Sequence, residues 1–333
     1  MPTNKKSPIR VEAERLCKEI PDAQTRTLAR RLAKEFGVTV EQARSIVRDV
    51  RGAMGDKRRK ETKDQVRRPH QKAGWRPAMP PSKAEDWTPF ALEGQRIACL
   101  SDIHVPYHCE RALAAAVKEC RRRKADTLLL NGDALDFYSI SRWIKDPRKR
   151  DFKAELDSAQ QLLQWIRAQF AKARIVFKVG NHEDRWDHYL WNHAPEICDL
   201  PNVQLPQILE MDDLAIEYVD NERPCMAGKL PIFHGHELPR GLTNPVNMAR
   251  GAFLRMCDTV LVGHGHRTST HTEPSWEHDE TTTWSQGCLC DMNPRYARIN
   301  KWNHGFAFVD VGADGDFDLT NYRINSDGKV RQS

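Results

Sequence analysis

Five short segments of this 333-residue chain carry side chains that bind hard cations. They are Asp102-Ile103-His104, Gly132-Asp133-Ala134-Leu135-Asp136, Gly180-Asn181-His182-Glu183, His234-Gly235-His236 and Gly263-His264-Gly265-His266. Each follows a short apolar run of strand type. The chemistry they suit is hydrolysis of a phosphate ester. Such an ester is an anion, so attack by hydroxide is electrostatically opposed. Two divalent cations about 3.5–4 Å apart remove that obstacle by neutralising the phosphate, lowering the pKa of a water and orienting in-line attack. The site then needs a carboxylate shared by both ions, mixed oxygen and imidazole ligands, and loops that converge at the carboxyl edge of a sheet. Asp102 and His104 alternate about Ile103, so an extended strand end would point both the same way. His264 and His266 would share a face across Gly265. Asp133 follows an apolar run that turns at Gly132, and Asn181 offers a neutral amide oxygen. One such segment means little; five in order, each at the end of an apolar run, are not scattered polar turns.

The elements that must position these residues are legible from periodicity. Short apolar runs at 97–100, 127–130, 175–179, 230–233 and 259–262 predict strands, and 110–123, 152–171 and 186–193 predict helices. Leu156, Leu162, Leu163, Ile166 and Phe170 supply the apolar face of the long helix. Alternating strands and helices imply an α/β sheet covered on both faces. The tail, 305–311 and 317–324, alternates like paired antiparallel strands, which suggests a second sheet packed on the first.

Ahead of this region the chain changes character. Residues 1–76 hold 21 Lys/Arg against 10 Asp/Glu, and the remainder 31 against 36, so a basic head precedes an acidic body. In the head, Leu28, Leu32, Ala33 and Phe36 form one helical stripe ended by Gly37. Ala43, Ile46, Val47 and Val50 form a second stripe behind Thr39, a candidate N-cap. Two short helices about a glycine turn are the helix-turn-helix pattern, with Arg44, Arg48 and Arg51 on the second helix. Residues 1–52 are therefore expected to be a small all-helical domain. Residues 53–94, with Lys57, Arg58, Arg59 and five prolines at 69, 77, 80, 81 and 89, are expected to be a basic linker. The basic surplus points to a polyanion, nucleic acid foremost. A helical module that only packs has the same pattern. No apolar run approaches the length of a membrane helix, and the start of the chain lacks a secretory signal. A cytoplasmic protein without a membrane partner is expected. Nine scattered cysteines fit reduced thiols, since Cys288-x-Cys290 lacks the spacing of a structural zinc site.

The order D-x-H, G-D-x-x-D, G-N-H-E, H-G, G-H-x-H resembles that of the calcineurin-like metallophosphoesterase superfamily over residues 95–325, leaving 326–333 as a tail. The layout is also similar to that of phage- or prophage-encoded members, which would place the protein in a host cytoplasm. The resemblance implies a four-layer α/β/β/α sandwich holding two divalent metal ions, Mn foremost and Fe, Zn, Ni or Mg as alternatives. It implies that Asp102, His104 and His266 hold one ion and Asn181, His234 and His264 the other, with Asp133 bridging. His182 would be catalytic and Asp136 its partner. His236 competes with His234 but lies farther from the strand, which favours a place near substrate. The Ser/Thr phosphatase branch has an Arg where Phe137 stands here, a departure from protein phosphatases. Arg185 is a candidate phosphate contact. Arg142, in the basic aromatic loop 142–150, is a candidate substrate contact. The expected activity is a phosphodiesterase or nuclease acting on DNA or RNA. The alternatives are a phosphatase or phosphodiesterase for a small molecule or phosphoprotein, and a DNA-binding regulator with an inactive metal domain.

Overall fold

The computed structural model describes residues 7–52, 78–84, 87–220, 223–239, 246–274, 276 and 280–333. The chain divides into two compact units, residues 1–84 and 85–333.

The first unit contains α1 (Pro8–Glu19), α2 (Thr25–Phe36) and α3 (Val40–Val50). The two expected helices are present, and α1 adds a third whose Ala13 and Leu16 close the core on Leu28, Leu32, Ala33, Ala43 and Val47. Gly37 ends α2 at φ 64°, a left-handed value that costs glycine nothing. Thr39 then caps α3 in a capping box with Gln42. Lys57, Arg58 and Arg59 lie outside the described residues.

The second unit is built on two sheets. One comprises β2 (Arg96–Leu100), β3 (Thr127–Asn131), β4 (Arg174–Lys178), β5 (Ile216–Val219), β11 (His304–Val311), β12 (Phe317–Ile324) and β13 (Val330–Gln332), in the order β13-β12-β11-β2-β3-β4-β5. The other comprises β1 (Phe90–Ala91), β6 (Cys225–Ala227), β7 (Leu230–Phe233), β8 (Val260–Val262), β9 (Ser269–Pro274) and β10 (Glu280–Ser285), in the order β1-β6-β7-β8-β10-β9. The central strands β2 to β5 run parallel. The connections between β2, β3 and β4 contain α4 (Glu110–Arg122) and α5 (Phe152–Gln169). Side-chain alternation sorts the strands into two cores. Ala98, Leu100, Leu128, Leu130, Ile175 and Phe177 pack with residues of α4 and α5. Their neighbours Ile97, Cys99, Leu129 and Val176 pack with Ala227, Leu230, Ile232 and Leu261 of the other sheet. Short helices α6 (Asp184–His193) and α7 (Leu205–Ile208) follow β4, and α8 (Met248–Met256) packs on the second sheet. The result is a mixed α/β fold built on two packed sheets.

Two expectations change. The tail does not build the second sheet. β11 pairs antiparallel with β2 and extends the first sheet; Phe306 and Phe308 fill the helix-side core while Ala307 and Val309 fill the inter-sheet core. A strand buried on both faces belongs inside a sheet. The second sheet comes instead from β1 and the stretch β6 to β10. The boundaries also move outward: Phe90–Ala91, expected in the linker, pairs with β6, and Val330–Gln332, expected as tail, pairs with β12.

Candidate metal centre

The five segments lie on the loops that follow β2, β3, β4, β7 and β8. The extended alternation expected of Asp102/His104 and His264/His266 is not how their side chains converge. Both pairs leave the strands and turn left-handed, with φ of 55°, 54°, 59° and 53°, and Asp133 does the same at 51°. Each such non-glycine residue costs about 1–3 kcal/mol, a strain that persists where the surroundings over-determine it. The surroundings here are other loops. Asp102 N–H donates to Gly132 O (3.1 Å), His104 N–H to Asp133 O (2.9 Å) and Gly263 N–H to His234 O (2.7 Å). His264 N–H donates to Asp102 Oδ2 (3.0 Å). A Cβ on Gly132 would enter the His234 ring, and one on Gly180 would strike Asp133. Both glycines are therefore demanded by close approach.

The ligand-type atoms meet around Asp133. Its Oδ2 is 3.2 Å from His234 Nε2, 3.8 Å from His104 Nε2 and 3.8 Å from His182 Nε2. On the other side, His266 Nε2 is 3.3 Å from His104 Nε2 and 3.0 Å from Asp102 Oδ1. Two groups of atoms are close enough to hold an ion around this carboxylate, His104/Asp133/His182 and Asp133/His234/His264. A third, His104/His266/Cys290, adjoins them. Tautomers agree with this use. His234 Nδ1–H donates to Asn131 O (2.8 Å) and His104 Nδ1–H to Asp136 Oδ1 (3.1 Å), which turns both Nε2 lone pairs toward the centre. His234 Nε2, Asp102 Oδ1 and Asn181 Oδ1 are buried and make no hydrogen bond. Buried polar atoms without partners are rare. Eleven side-chain atoms among the described residues are in that state, and the three on expected ligands fit a divalent metal.

Charge points the same way. Burial pushes the carboxyls of Asp102 and Asp133 up, but the surrounding imidazoles overrule it and hold both well below the usual range. Burial pushes His234 down, yet Asp133 and Asp102 raise it to about 10; His266 is likewise raised by Asp102. Desolvation of its ring and the His234 charge push His264 down from its ordinary value, although part of that residue stays exposed. Buried carboxylates that make neighbouring imidazoles hold protons form an anionic pit, which a cation would fill in their place.

A family model described as "Calcineurin-like phosphoesterase" matches residues 95–287. The chain belongs to the calcineurin-like phosphoesterase family. Membership carries metal-dependent phosphoester hydrolysis with it. Among curated proteins, the chain is 26% identical over 256 residues to the Gene 54 protein of Mycobacterium phage L5, covering 71% of this chain and 98% of that one. It is 25% identical over 230 residues to the Gene 54 protein of Mycobacterium phage D29, covering 65% and 89%. Among solved structures, Vps29 of Chaetomium thermophilum aligns with TM-score 0.35 and 12% identity over 72% of this chain and 96% of that one. YfcE, a phosphoesterase from E. coli, aligns with TM-score 0.31 and 15% identity over 67% and 97%. Among the described residues, no helix is long and apolar enough to cross a membrane.

Within this family frame the rim of the site differs in detail from expectation. Asp136 is not reserved for His182: its Oδ1 lies 3.1 Å from His104 Nδ1 and 3.3 Å from His182 Nδ1. His182 Nδ1–H donates to the Asp136 carbonyl (2.9 Å). Phe137 is wholly buried, stacked on Phe152, and cannot reach a phosphate. Arg185 stands at the rim instead, donating to Asp136 O (2.7 Å) and lying 2.9 Å from His182 Nε2. His236 is outside the ligand groups, 3.5 Å from Asp184 and 3.4 Å from Glu237. Arg142 lies in the cavity wall, its guanidinium over the Trp143 ring. In the first unit, Arg44 pairs with Glu41, and Arg51 is spent on Thr25 and Pro21, tying the end of α3 to the start of α2. Arg48 is half-buried on α3.

Two buried carboxylates went unassigned in the sequence. Glu183 accepts N–H groups of Asp133 (2.9 Å), Leu135 (2.8 Å) and Gly180 (2.8 Å), clamping the β3 and β4 loops together. Burial and the Asp133 charge push its carboxyl up to about 7. Glu237 accepts His234 N–H (3.2 Å) and Gly235 N–H (2.7 Å), and meets the fully buried Lys178 at 2.8 Å. Glu183 already stood within a quoted segment. Lys178 carried one signal, a charge inside an apolar strand.

Proposed function

We propose that the chain is a two-metal phosphodiesterase whose substrate is nucleic acid. Asp102, His104 and His266 would hold one ion and Asn181, His234 and His264 the other, with Asp133 available to both. The metals, Mn foremost, with Fe, Zn, Ni or Mg also accepted by this donor set, supply charge neutralisation and an activated water when bound. The chain supplies the rest. Glu183 and Glu237 fix the loops. Asp136 orients His104 and His182. Arg185 donates to His182 Nε2 in the absence of substrate, so that nitrogen carries no proton; once a phosphate oxygen takes over the Arg185 donor, Nε2 takes up a proton from solvent, beside the Asp136 carboxylate, and passes it to the leaving ester oxygen.

The observation that carries the choice of nucleic acid is the cavity beside the centre. It measures about 1460 Å³ and is lined by Asn181, His236 and His264 on the metal side and by Arg142, Lys145, Arg150, Arg255, Arg267 and Lys301 around them. Asp184 is the one carboxylate lining it among the described residues. That surplus suits several phosphates in a row better than one. The test is incubation with Mn²⁺ and labelled DNA or RNA, alongside p-nitrophenyl phosphate and its bis ester. Nucleic-acid and bis-ester cleavage that disappears in Asp133→Ala supports the reading. Monoester turnover with intact nucleic acid contradicts it.

A further inference from the structure

A second cavity, about 790 Å³, adjoins the same centre and is lined in part by Asp136, His182, Arg295 and Tyr296. The two cavities share Asn181, Arg185, Ser141, Trp143 and Lys145. They therefore meet at the residues that would touch the scissile phosphate. A terminal phosphate needs room on one side only. A phosphodiester within a chain needs room on both.

The walls also carry exposed rings. Trp143, at the junction, is 67% exposed although Arg142 lies 5.1 Å over one face. Tyr296 is 72% exposed beside the second cavity. In the first cavity Tyr189 and His193 stack at 4.6 Å, with planes 17° apart. They end a column of near-parallel rings that runs inward through Trp186, Phe152 and Phe137. Large exposed aromatics are a solvation cost unless something stacks on them, and any nucleobase can, because each has a π-face. A paired base inside a duplex offers no face to a wall. Most of the centre is also recessed, with Asp102, His104, Asp133, His234 and His266 buried and His264 exposed.

Resting on the nucleic-acid reading above, we propose that the substrate is a single strand threaded through both cavities and cut internally, with a base beside the cut stacked on Trp143. The cut adds the hydroxyl of a water to phosphorus and breaks one P–O ester bond; the leaving oxygen takes the proton of His182, and the proton given up by the water goes to solvent, from which His182 is reprotonated.

The test is a closed circular single-stranded DNA, which has no ends, compared with a linear strand and a relaxed closed duplex circle of the same sequence, all with Mn²⁺. The inference predicts that both single strands are cut and the duplex circle is spared. Trp143→Ala should raise KM by about 5- to 150-fold, the range of losing one stacked base, with kcat little changed. Trp143→Phe should restore most of the loss. A circle left intact while the linear strand is cut overturns the inference and leaves the nuclease reading standing. So does duplex cleavage at the same rate, or an unchanged KM in Trp143→Ala. No cleavage of any nucleic acid overturns both.

Discussion

At the scale of the residue, Asp136 and His182 do different work although they touch. Asp136 orients His104, an expected ligand, through Nδ1, and holds His182 from the same oxygen. In the proposed assignment His182 acts downstream of metal binding and Asp136 on both sides of it. His182→Ala is expected to keep its metal and lose about 10²–10⁴-fold in rate, the usual worth of a positioned proton donor. Asp136→Asn should lower metal affinity as well, by about 10- to 100-fold, as removal of a ligand's hydrogen-bond partner does. Metal titration beside turnover separates the two; a His182→Ala protein that no longer binds metal would make that residue a ligand. The residue types of the centre were legible because ligand chemistry restricts them so strongly. The double duty of Asp136 was not, since it depends on two rings from different loops reaching one oxygen.

At the scale of the element, the sequence located the strand ends but not their geometry. Alternation about Ile103 and Gly265 predicted extended backbone, and the left-handed turns at Asp102, His104, His264 and His266 replaced it. Those turns are set by hydrogen bonds between loops far apart in the chain, which local pattern does not encode. The buried pair Lys178–Glu237 is of the same kind, holding the β7 loop against β4. Burial pushes the Glu237 carboxyl up, but Lys178 and the neighbouring imidazoles overrule it and bring it down to about 2, against an ordinary 4.5. Its stabilising effect is therefore complete above about pH 4.5 and is lost as pH falls toward 2. Glu237→Gln removes the charge facing the buried Lys178 and should cost about 3–5 kcal/mol at neutral pH, whereas adding Lys178→Met should recover part of it, since Gln still accepts the His234 and Gly235 N–H groups. Denaturant unfolding from pH 7 to 2.5 checks both points. The gap between wild type and Glu237→Gln should narrow as pH falls; a constant gap would show that the ion pair is not its source.

At the scale of the whole molecule, the parallel core followed from apolar runs and helix stripes. The destination of the tail did not, because an alternating hairpin pairs equally well with either sheet until burial on both faces of β11 decides it. The basic head was legible as charge and as two helices. Its basic surplus predicts a contribution by phosphate neutralisation, which falls with salt. Removing residues 1–84 should weaken nucleic-acid binding and flatten its dependence on salt, as read by fluorescence anisotropy across a salt series. Unchanged binding would assign recognition to the catalytic unit alone. The account as a whole stands on two ions sharing Asp133, so its most direct test is the stoichiometry of Mn²⁺ binding by calorimetry on the wild-type chain and on Asp133→Asn. Two ions per wild-type chain, with at least one lost in Asp133→Asn, is the predicted result. A single ion per chain, or two that persist in Asp133→Asn, would contradict it.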